Sequence, residues 1–168
     1  MTNAVDPRPT KYIHVGEFFA SNQPTIVRTL LGSCVAVCLF DPRMKVGGMN
    51  HFLLPRTMNG CKDTGRFGET SIRALVERMR EMGSTGRNLR IQLFGGAHVL
   101  PHVKDGPSTA GRMNVAFVME LLRTGEYVRG EQDLGDRVAR RIRFETDTGM
   151  AHVTRLPVKI GTRALPLP

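Results

Sequence analysis

A cysteine and a histidine, Cys34 and His51, stand seventeen positions apart where small residues interrupt two apolar runs. Cys34 follows Gly32-Ser33 and precedes an apolar run, so its sulfur is expected at the end of a strand. Backbone amides in such a turn are not all tied into a β-ladder, and they can stabilise an oxyanion. A nearby imidazole can lower the pKa of a thiol and give a thiolate near neutral pH. The pair therefore predicts nucleophilic attack on a carbonyl.

A predicted hairpin brings the two residues together. Residues 41–43 read Asp-Pro-Arg, a turn signal, between predicted strands at 35–40 and 46–53. Strands joined by a turn return beside each other, so Cys34 and His51 are expected to meet across the ladder.

Three residues just before the histidine are predicted to line the approach of a substrate. Gly47 and Gly48 leave a space without side chains, as the approach of another chain requires. Asn50 belongs to the same stretch and is included with them.

The residues alone leave three other interpretations of the cysteines open. Cys34, Cys38, His51 and Cys61 can be zinc ligands, although the Cys-x-x-x-Cys pair lies in an apolar strand. Cys34 and Cys61 can form a redox disulfide, although the chain has no Cys-x-x-Cys motif. Cys34 can also be an inert buried thiol.

The elements that must position this pair are mostly strands. Two segments, 69–82 and 112–124, have apolar residues at helical spacing and are followed by Gly83 and Gly125. Many strands with only two main helices predict an α+β fold, a single layered domain with a mixed, strongly antiparallel sheet. The predicted strands are 13–19, 25–31, 35–40, 46–53, 89–94, 138–144 and 151–156.

Composition and length predict one globular domain. The chain has 168 residues, of which 40% are hydrophobic and 23% charged. The domain is predicted at residues 11–160, between flexible tails at 1–10 and 161–168. There is no secretory apolar segment near the start and no apolar run of roughly 18 residues. We therefore expect a cytoplasmic protein without membrane insertion.

The formal net charge of +9 bears on partners. The densest basic group is Arg137, Arg140, Arg141 and Arg143, with no aromatic residue for base stacking among them. The sequence therefore predicts a solvated basic face and no nucleic-acid partner.

Several long motifs resemble the CheD family of chemotaxis proteins. Residues 29–35 read Thr-Leu-Leu-Gly-Ser-Cys-Val, and residues 47–55 read Gly-Gly-Met-Asn-His-Phe-Leu-Leu-Pro. The likeness continues through residues 94–97 and 111–114 and covers about residues 13–153. The motifs are ordered and correctly spaced, which makes the resemblance specific.

The resemblance implies hydrolysis of glutamine side-chain amides in the cytoplasmic domains of chemoreceptors, with no metal or organic cofactor. It places the nucleophile on Cys34, the base on His51 and a supporting threonine on Thr29. We expect Ser33 and Gly32 to shape the turn that holds the oxyanion. It also implies a three-layer sandwich and docking to a CheC-type phosphatase. A regulatory module docked to that phosphatase is the alternative function, beside the zinc or redox module.

One departure from the family concerns the element Gly-x-Arg-Asn. It appears here as Gly111-Arg112-Met113-Asn114, with Met113 in the place of the arginine. Whether Arg112 replaces that arginine is left open by the sequence.

Overall fold

The computed structural model of the chain describes residues 6–57 and 65–157. Cys61 and the predicted tail at 161–168 lie outside these ranges, so the redox and zinc roles proposed for Cys61 stay untested. The boundaries of the predicted domain likewise stay predictions. Within the described ranges, no helix is long and apolar enough to cross a bilayer.

Nine strands and two helices make up the described part of the chain. They are β1 (Thr10–Tyr12), β2 (Phe18–Ser21), β3 (Ile26–Leu31), β4 (Val35–Asp41), β5 (Val46–Asn50), α1 (Gly68–Glu81), β6 (Arg90–Gly95), α2 (Ala110–Thr124), β7 (Val128–Leu134), β8 (Ala139–Glu145) and β9 (Ala151–Leu156).

These elements form three layers. One sheet has the strand order β1-β3-β8-β9, and the other has the order β2-β5-β4-β6-β7. Helix α1 packs on β2 and β5, while α2 packs on β4 and β6. Both sheets are mixed, because β1 runs parallel to β3 and β7 runs parallel to β6. The predicted α+β fold with two helices is confirmed.

Strand β4 is the centre of the fold and explains why its sequence is continuously apolar. Val37 and Leu39 belong to the core beneath the helices, whereas Ala36 and Cys38 belong to the core between the two sheets. A strand buried on both faces needs no polar alternation. Burying one side chain such as Leu39 stabilises the fold by about 1.5–3 kcal/mol.

Two segments differ from the prediction. Of the strand predicted at 13–19, only residues 18 and 19 lie in a strand, β2, because residues 13–17 connect β1 to β2 and these two strands belong to different sheets. Strand β7 was not predicted, because its sequence Val-Arg-Gly-Glu-Gln-Asp-Leu has little apolar alternation. It lies at the edge of its sheet, where most of its side chains remain partly or fully exposed.

Candidate active site around Cys34 and His51

Cys34 lies in the turn between β3 and β4, at the mouth of a cavity of about 650 Å³. Its side chain is partly exposed, whereas that of Cys38 is fully buried. The same cavity is lined by His51, Thr29 and Gly32. The structure therefore gathers these four predicted site residues in one place.

The predicted hairpin of β4 and β5 is confirmed, and its register sets the side of the sheet from which His51 projects. An antiparallel bridge joins Val35 to Phe52, so His51 falls opposite Ala36. Side chains two apart along a strand share a face, which places His51 on the same side as Cys34. The imidazole therefore lies between the end of β5 at Asn50 and the bridge at Phe52, and the thiol lies just before the start of β4.

The imidazole of His51 is oriented by the hydroxyl of Thr29. The Thr29 Oγ1 atom lies 2.8 Å from His51 Nδ1 and donates its hydrogen to the Ile13 carbonyl at 2.8 Å. A hydroxyl has a single hydrogen to donate. The Nδ1 atom of His51 must therefore carry a hydrogen and donate it to Thr29, which leaves the lone pair on Nε2.

The backbone of His51 is also held on both sides. Its carbonyl accepts a hydrogen bond from the Gly16 amide at 2.8 Å, and its amide donates to the Glu17 carbonyl at 3.0 Å. Gly16 has φ +86, a conformation that favours glycine. The segment between β1 and β2 therefore fixes the position of the His51 backbone, and with it that of the imidazole, at the cavity.

Burial shifts both reactive groups toward their neutral forms. It lowers the pKa of His51 to about 4, assisted by the charge of His14 and opposed by that of Glu17. Burial also raises the pKa of the Cys34 thiol, which its own backbone amide partly offsets. In contrast to the thiolate that the sequence predicted, burial favours the neutral thiol of Cys34 and the neutral imidazole of His51. An unprotonated imidazole at pH 7 is the form that a general base requires.

The turn that carries Cys34 is anchored through three consecutive carbonyls. Two of them accept hydrogen bonds from amides of the loop that follows β6, and the third accepts one from a side chain of α2. The donors are the Ala97 amide to Gly32 at 2.9 Å, Asn114 Nδ2 to Ser33 at 2.9 Å, and the Gly96 amide to Cys34 at 2.8 Å.

These anchors determine where the amides of the turn point. In a trans peptide the carbonyl and the N–H point in opposite directions, so the Ser33 and Cys34 amides point away from β6 and α2. Within residues 6–57 and 65–157, neither amide donates to another residue. The Cys34 amide instead lies near its own sulfur. Amides without another partner beside the sulfur can donate to the oxyanion that forms on a carbonyl oxygen when the sulfur attacks its carbon.

Asn114 is a site residue whose role the sequence did not reveal. It is fully buried, and its Nδ2 donates to the carbonyls of Ser33 and Leu53, each at 2.9 Å. It thus ties the turn of the cysteine to the segment after the histidine. The sequence does contain one signal of this role: Asn114 is a polar residue on the otherwise apolar face of α2, four residues before Val118.

Gly95 allows a close approach of two backbone segments beside the turn that carries Cys34. Gly95 has φ +111, and a Cβ atom there would collide with the carbonyl oxygen of Cys34. Any side chain at Gly95 would therefore displace the turn that carries the sulfur.

Gly47 and Gly48 do not line the cavity, and they are small for another reason. A Cβ atom on Gly47 would lie 2.5 Å from the Thr146 carbonyl oxygen, and one on Gly48 would lie 2.6 Å from Leu75 Cδ1. Both residues are buried between layers. We therefore assign them a packing role in place of the predicted role in substrate approach.

Asn50 is likewise fully buried and serves the scaffold. Its Oδ1 accepts a hydrogen bond from the Val37 amide at 2.8 Å, and its Nδ2 donates to Ser71 Oγ at 3.0 Å. It joins β4, β5 and α1, and it does not line the cavity at which we expected it.

The predicted basic face does not form a single patch. Arg140 is fully buried and pairs with Asp133 at 2.8 Å, which makes it part of the core. Arg143 forms an ion pair with Glu145. Arg141 is exposed and lines the cavity of Cys34.

Arg112 does not approach the candidate site. It pairs with Asp105 at 2.8 Å and lines a separate cavity. Met113, which stands where the family has an arginine, is half-buried on α2. Neither residue therefore supplies a positive charge beside Cys34.

A shared metal site is not visible in the described part of the chain. Across residues 6–57 and 65–157, no three His, Cys, Asp or Glu side chains could hold one ion. Four residues of strand separate Cys34 from Cys38 by about 13 Å. The two sulfurs are therefore too far apart to bind the same zinc ion.

Comparison with known proteins identifies a family. The sequence matches the family described as CheD chemotactic sensory transduction over residues 53–155. This match covers more than half of the chain, from Leu53 to Arg155 in β9.

Curated relatives match a larger share of the chain than the family model does. A protein of Anaeromyxobacter dehalogenans is 38% identical over 149 residues, which are 89% of this chain and 86% of the relative. One from Sulfurimonas denitrificans is 34% identical, with 83% and 89% covered. One from Vibrio cholerae serotype O1 is 36% identical, and the chain spans only 63% of its length. Each of the three is named a probable chemoreceptor glutamine deamidase CheD.

Proposed function

Because the chain belongs to the CheD family, we propose that it is a protein-glutamine deamidase that converts glutamines of chemoreceptors to glutamate, with Cys34 as nucleophile. One observation carries the assignment of the site. The His51 imidazole is fixed by Thr29 with its Nε2 lone pair free, in a cavity that Cys34 also lines. The cavity volume of about 650 Å³ falls within the roughly 300–1,000 Å³ of typical binding pockets.

The first step is acylation of the cysteine. Nε2 of His51 takes the proton from the thiol as the sulfur attacks the δ-carbon of the glutamine side chain. A carbon–sulfur bond forms, and the carbonyl π electrons move onto the oxygen. The Ser33 and Cys34 amides point away from their anchored carbonyls and donate to this oxyanion.

The second step releases ammonia. The oxyanion re-forms the carbonyl, the carbon–nitrogen bond breaks, and the His51 imidazolium gives its proton to the leaving nitrogen. The product is a thioester on Cys34. Water then attacks this thioester with His51 again as base, and glutamate and the free thiol are released.

Thr29 acts throughout by holding the imidazole. The Nδ1–H of His51 donates to Thr29 in both the neutral and the protonated form, because the hydroxyl hydrogen is already engaged by Ile13. A neutral hydroxyl stabilises an imidazolium less than a carboxylate does. This is consistent with a pKa for His51 of about 4, and it favours proton transfer during the attack over a stored ion pair.

The proposed activity is tested by incubating the chain with the cytoplasmic domain of a chemoreceptor. We expect glutamines to become glutamates, read by mass spectrometry of peptides, with one ammonia released for each change. Receptor that stays unmodified under conditions in which the enzyme is folded would contradict the proposal. Docking to a CheC-type phosphatase stays a proposal that rests on the family resemblance, and a cytoplasmic location stays one that rests on the sequence pattern.

A further inference from the structure

Two arginines stand at the rim of the cavity on the outer face of the four-stranded sheet. Arg28 lies in β3 and Arg141 in β8, and both line the cavity of Cys34. The register pairs Arg28 with Arg143 and Leu30 with Arg141. Arg28 and Arg141 are thus diagonal cross-strand neighbours, with Cα atoms about 7–8 Å apart. We call these two residues the cationic rim.

The charges of the cationic rim have no partner in the described part of the chain. Within residues 6–57 and 65–157, neither guanidinium has a hydrogen-bond or ion-pair partner. By contrast, Arg143 in the same strand pairs with Glu145 and Asp6. No aspartate or glutamate lines the cavity. The positive potential at the mouth is therefore available to a ligand from outside.

Apolar surface lies beside the cationic rim. Tyr12 is 63% exposed and Leu30 is 59% exposed, and both line the cavity. Among residues 6–57 and 65–157, the helices pack on the five-stranded sheet, so no helix of this part of the chain packs on the outer face of the four-stranded sheet. Large exposed apolar side chains next to unpaired cations are typical of a surface that binds a partner.

We propose that the cationic rim selects, among glutamines, those with a carboxylate a few residues away, so that the preferred substrate is an acidic segment. This proposal rests on the proposed function, because the site that it describes is the deamidation site. A carboxylate beside the glutamine pairs with Arg28 or Arg141 while Tyr12 and Leu30 contact its apolar neighbours. Exposed ion pairs change binding by about 1.4- to 5-fold each.

The test is a double-mutant cycle with two peptides. Both contain the same glutamine, flanked by glutamates in one and by serines in the other. The enzymes are the wild type, Arg28→Gln, Arg141→Gln and the double variant. We expect the wild type to have a KM for the acidic peptide about 2- to 25-fold lower, from two exposed pairs. The double variant should have equal KM values for both peptides.

The matched controls remove the same charge elsewhere. Arg73 on α1 and Arg129 on β7 are exposed and do not line the cavity. The variant Arg73→Gln/Arg129→Gln should keep the full preference for the acidic peptide. The preference of the wild type should also shrink as salt is raised, because exposed charges are screened.

A second readout separates this proposal from the proposed function. Binding of each peptide to the Cys34→Ala variant is measured by fluorescence anisotropy, which needs no turnover. Tighter binding of the acidic peptide that requires Arg28 and Arg141, without deamidation by the wild type, would support the role of the cationic rim in binding. The same result would contradict the proposed function. Deamidation with equal KM for both peptides, or a preference that survives in the double variant, would overturn the cationic rim.

Discussion

Replacing Asn114 by alanine should disable the oxyanion amides while leaving the thiol reactive. The side chain is fully buried, and its Nδ2 is a donor to both the Ser33 and the Leu53 carbonyls. Without it the Ser33 carbonyl loses this donor, so the Cys34 amide is held less firmly, although the Gly32 and Cys34 carbonyls stay anchored. Asn114 is a positioning residue in this account, because it does not touch the substrate.

Two magnitudes follow from these contacts. Leaving a buried carbonyl without a donor costs about 1–3 kcal/mol, so two such carbonyls cost about 2–6 kcal/mol. Removing an oxyanion donor outright lowers kcat by about 100- to 1,000-fold. Asn114 acts through the peptide and does not donate itself, so we expect kcat to fall by about 10- to 100-fold, with KM nearly unchanged.

Two reactions of the same sulfur separate positioning from general damage. Deamidation passes through an oxyanion, whereas alkylation of Cys34 by iodoacetamide displaces iodide and forms none. In Asn114→Ala we expect deamidation to fall and alkylation to stay within about twofold. Circular dichroism at the assay temperature must show a folded protein in both measurements.

The matched control is Gln92→Ala. Gln92 is also a buried amide, and its Nε2 donates to the Gly149 carbonyl at 2.8 Å, away from the cavity. It should lose stability without losing kcat. The reasoning is refuted if Asn114→Ala deamidates at the wild-type rate, or if its alkylation slows as much as its deamidation does.

Three further predictions concern the imidazole and the core. Thr29→Val keeps the shape of the side chain but removes the acceptor for the Nδ1–H of His51, so kcat should fall by about 10- to 100-fold. Thr29→Ser, which keeps a hydroxyl, should retain kcat, and full activity in the valine variant would contradict the role of the hydroxyl. Because burial lowers the pKa of His51 from 6.5 to about 4, the folded chain binds fewer protons than the unfolded one in this window. The contribution of His51 to the free energy of unfolding is then full above pH 6.5 and falls by at most about 3 kcal/mol as the pH drops to 4. Free energies of unfolding from urea melts of His51→Gln should lack this loss. The same dependence on pH in the wild type and in His51→Gln would contradict the role of His51. Arg140→Gln should strip Asp133 of a buried partner and lower the free energy of unfolding by about 3 kcal/mol, measured by urea denaturation, whereas a near-neutral effect would place Arg140 at the surface after all.

The main elements could be predicted because their sequence patterns are strong. Apolar residues at helical spacing followed by glycine predicted α1 and α2, and the turn at 41–43 predicted the hairpin of β4 and β5. The pattern could not reveal β7, since an edge strand that keeps most side chains in solvent needs no apolar alternation. The turn around Cys34 was predicted from small residues, but the direction of its amides depends on donors far away in the sequence.

The functions of the small and polar residues were harder to predict. A glycine that faces a substrate and a glycine that faces another layer look the same in a sequence, and Gly47 and Gly48 proved to be of the second kind. The protonation of the pair depends on burial, which a sequence does not give for single side chains. Arg140 looked like surface charge because its partner, Asp133, lies in a different strand of the other sheet.

The most direct test of the account is deamidation of a chemoreceptor cytoplasmic domain by Cys34→Ala beside Cys38→Ala. Both variants remove one sulfur, but Cys38 is fully buried in the core and Cys34 lines the cavity with His51. Glutamine-to-glutamate conversion is quantified by mass spectrometry at equal concentrations of folded enzyme. The account predicts that Cys34→Ala loses conversion by several orders of magnitude while Cys38→Ala keeps it. Conversion by Cys34→Ala at the wild-type rate would contradict the assignment of the nucleophile.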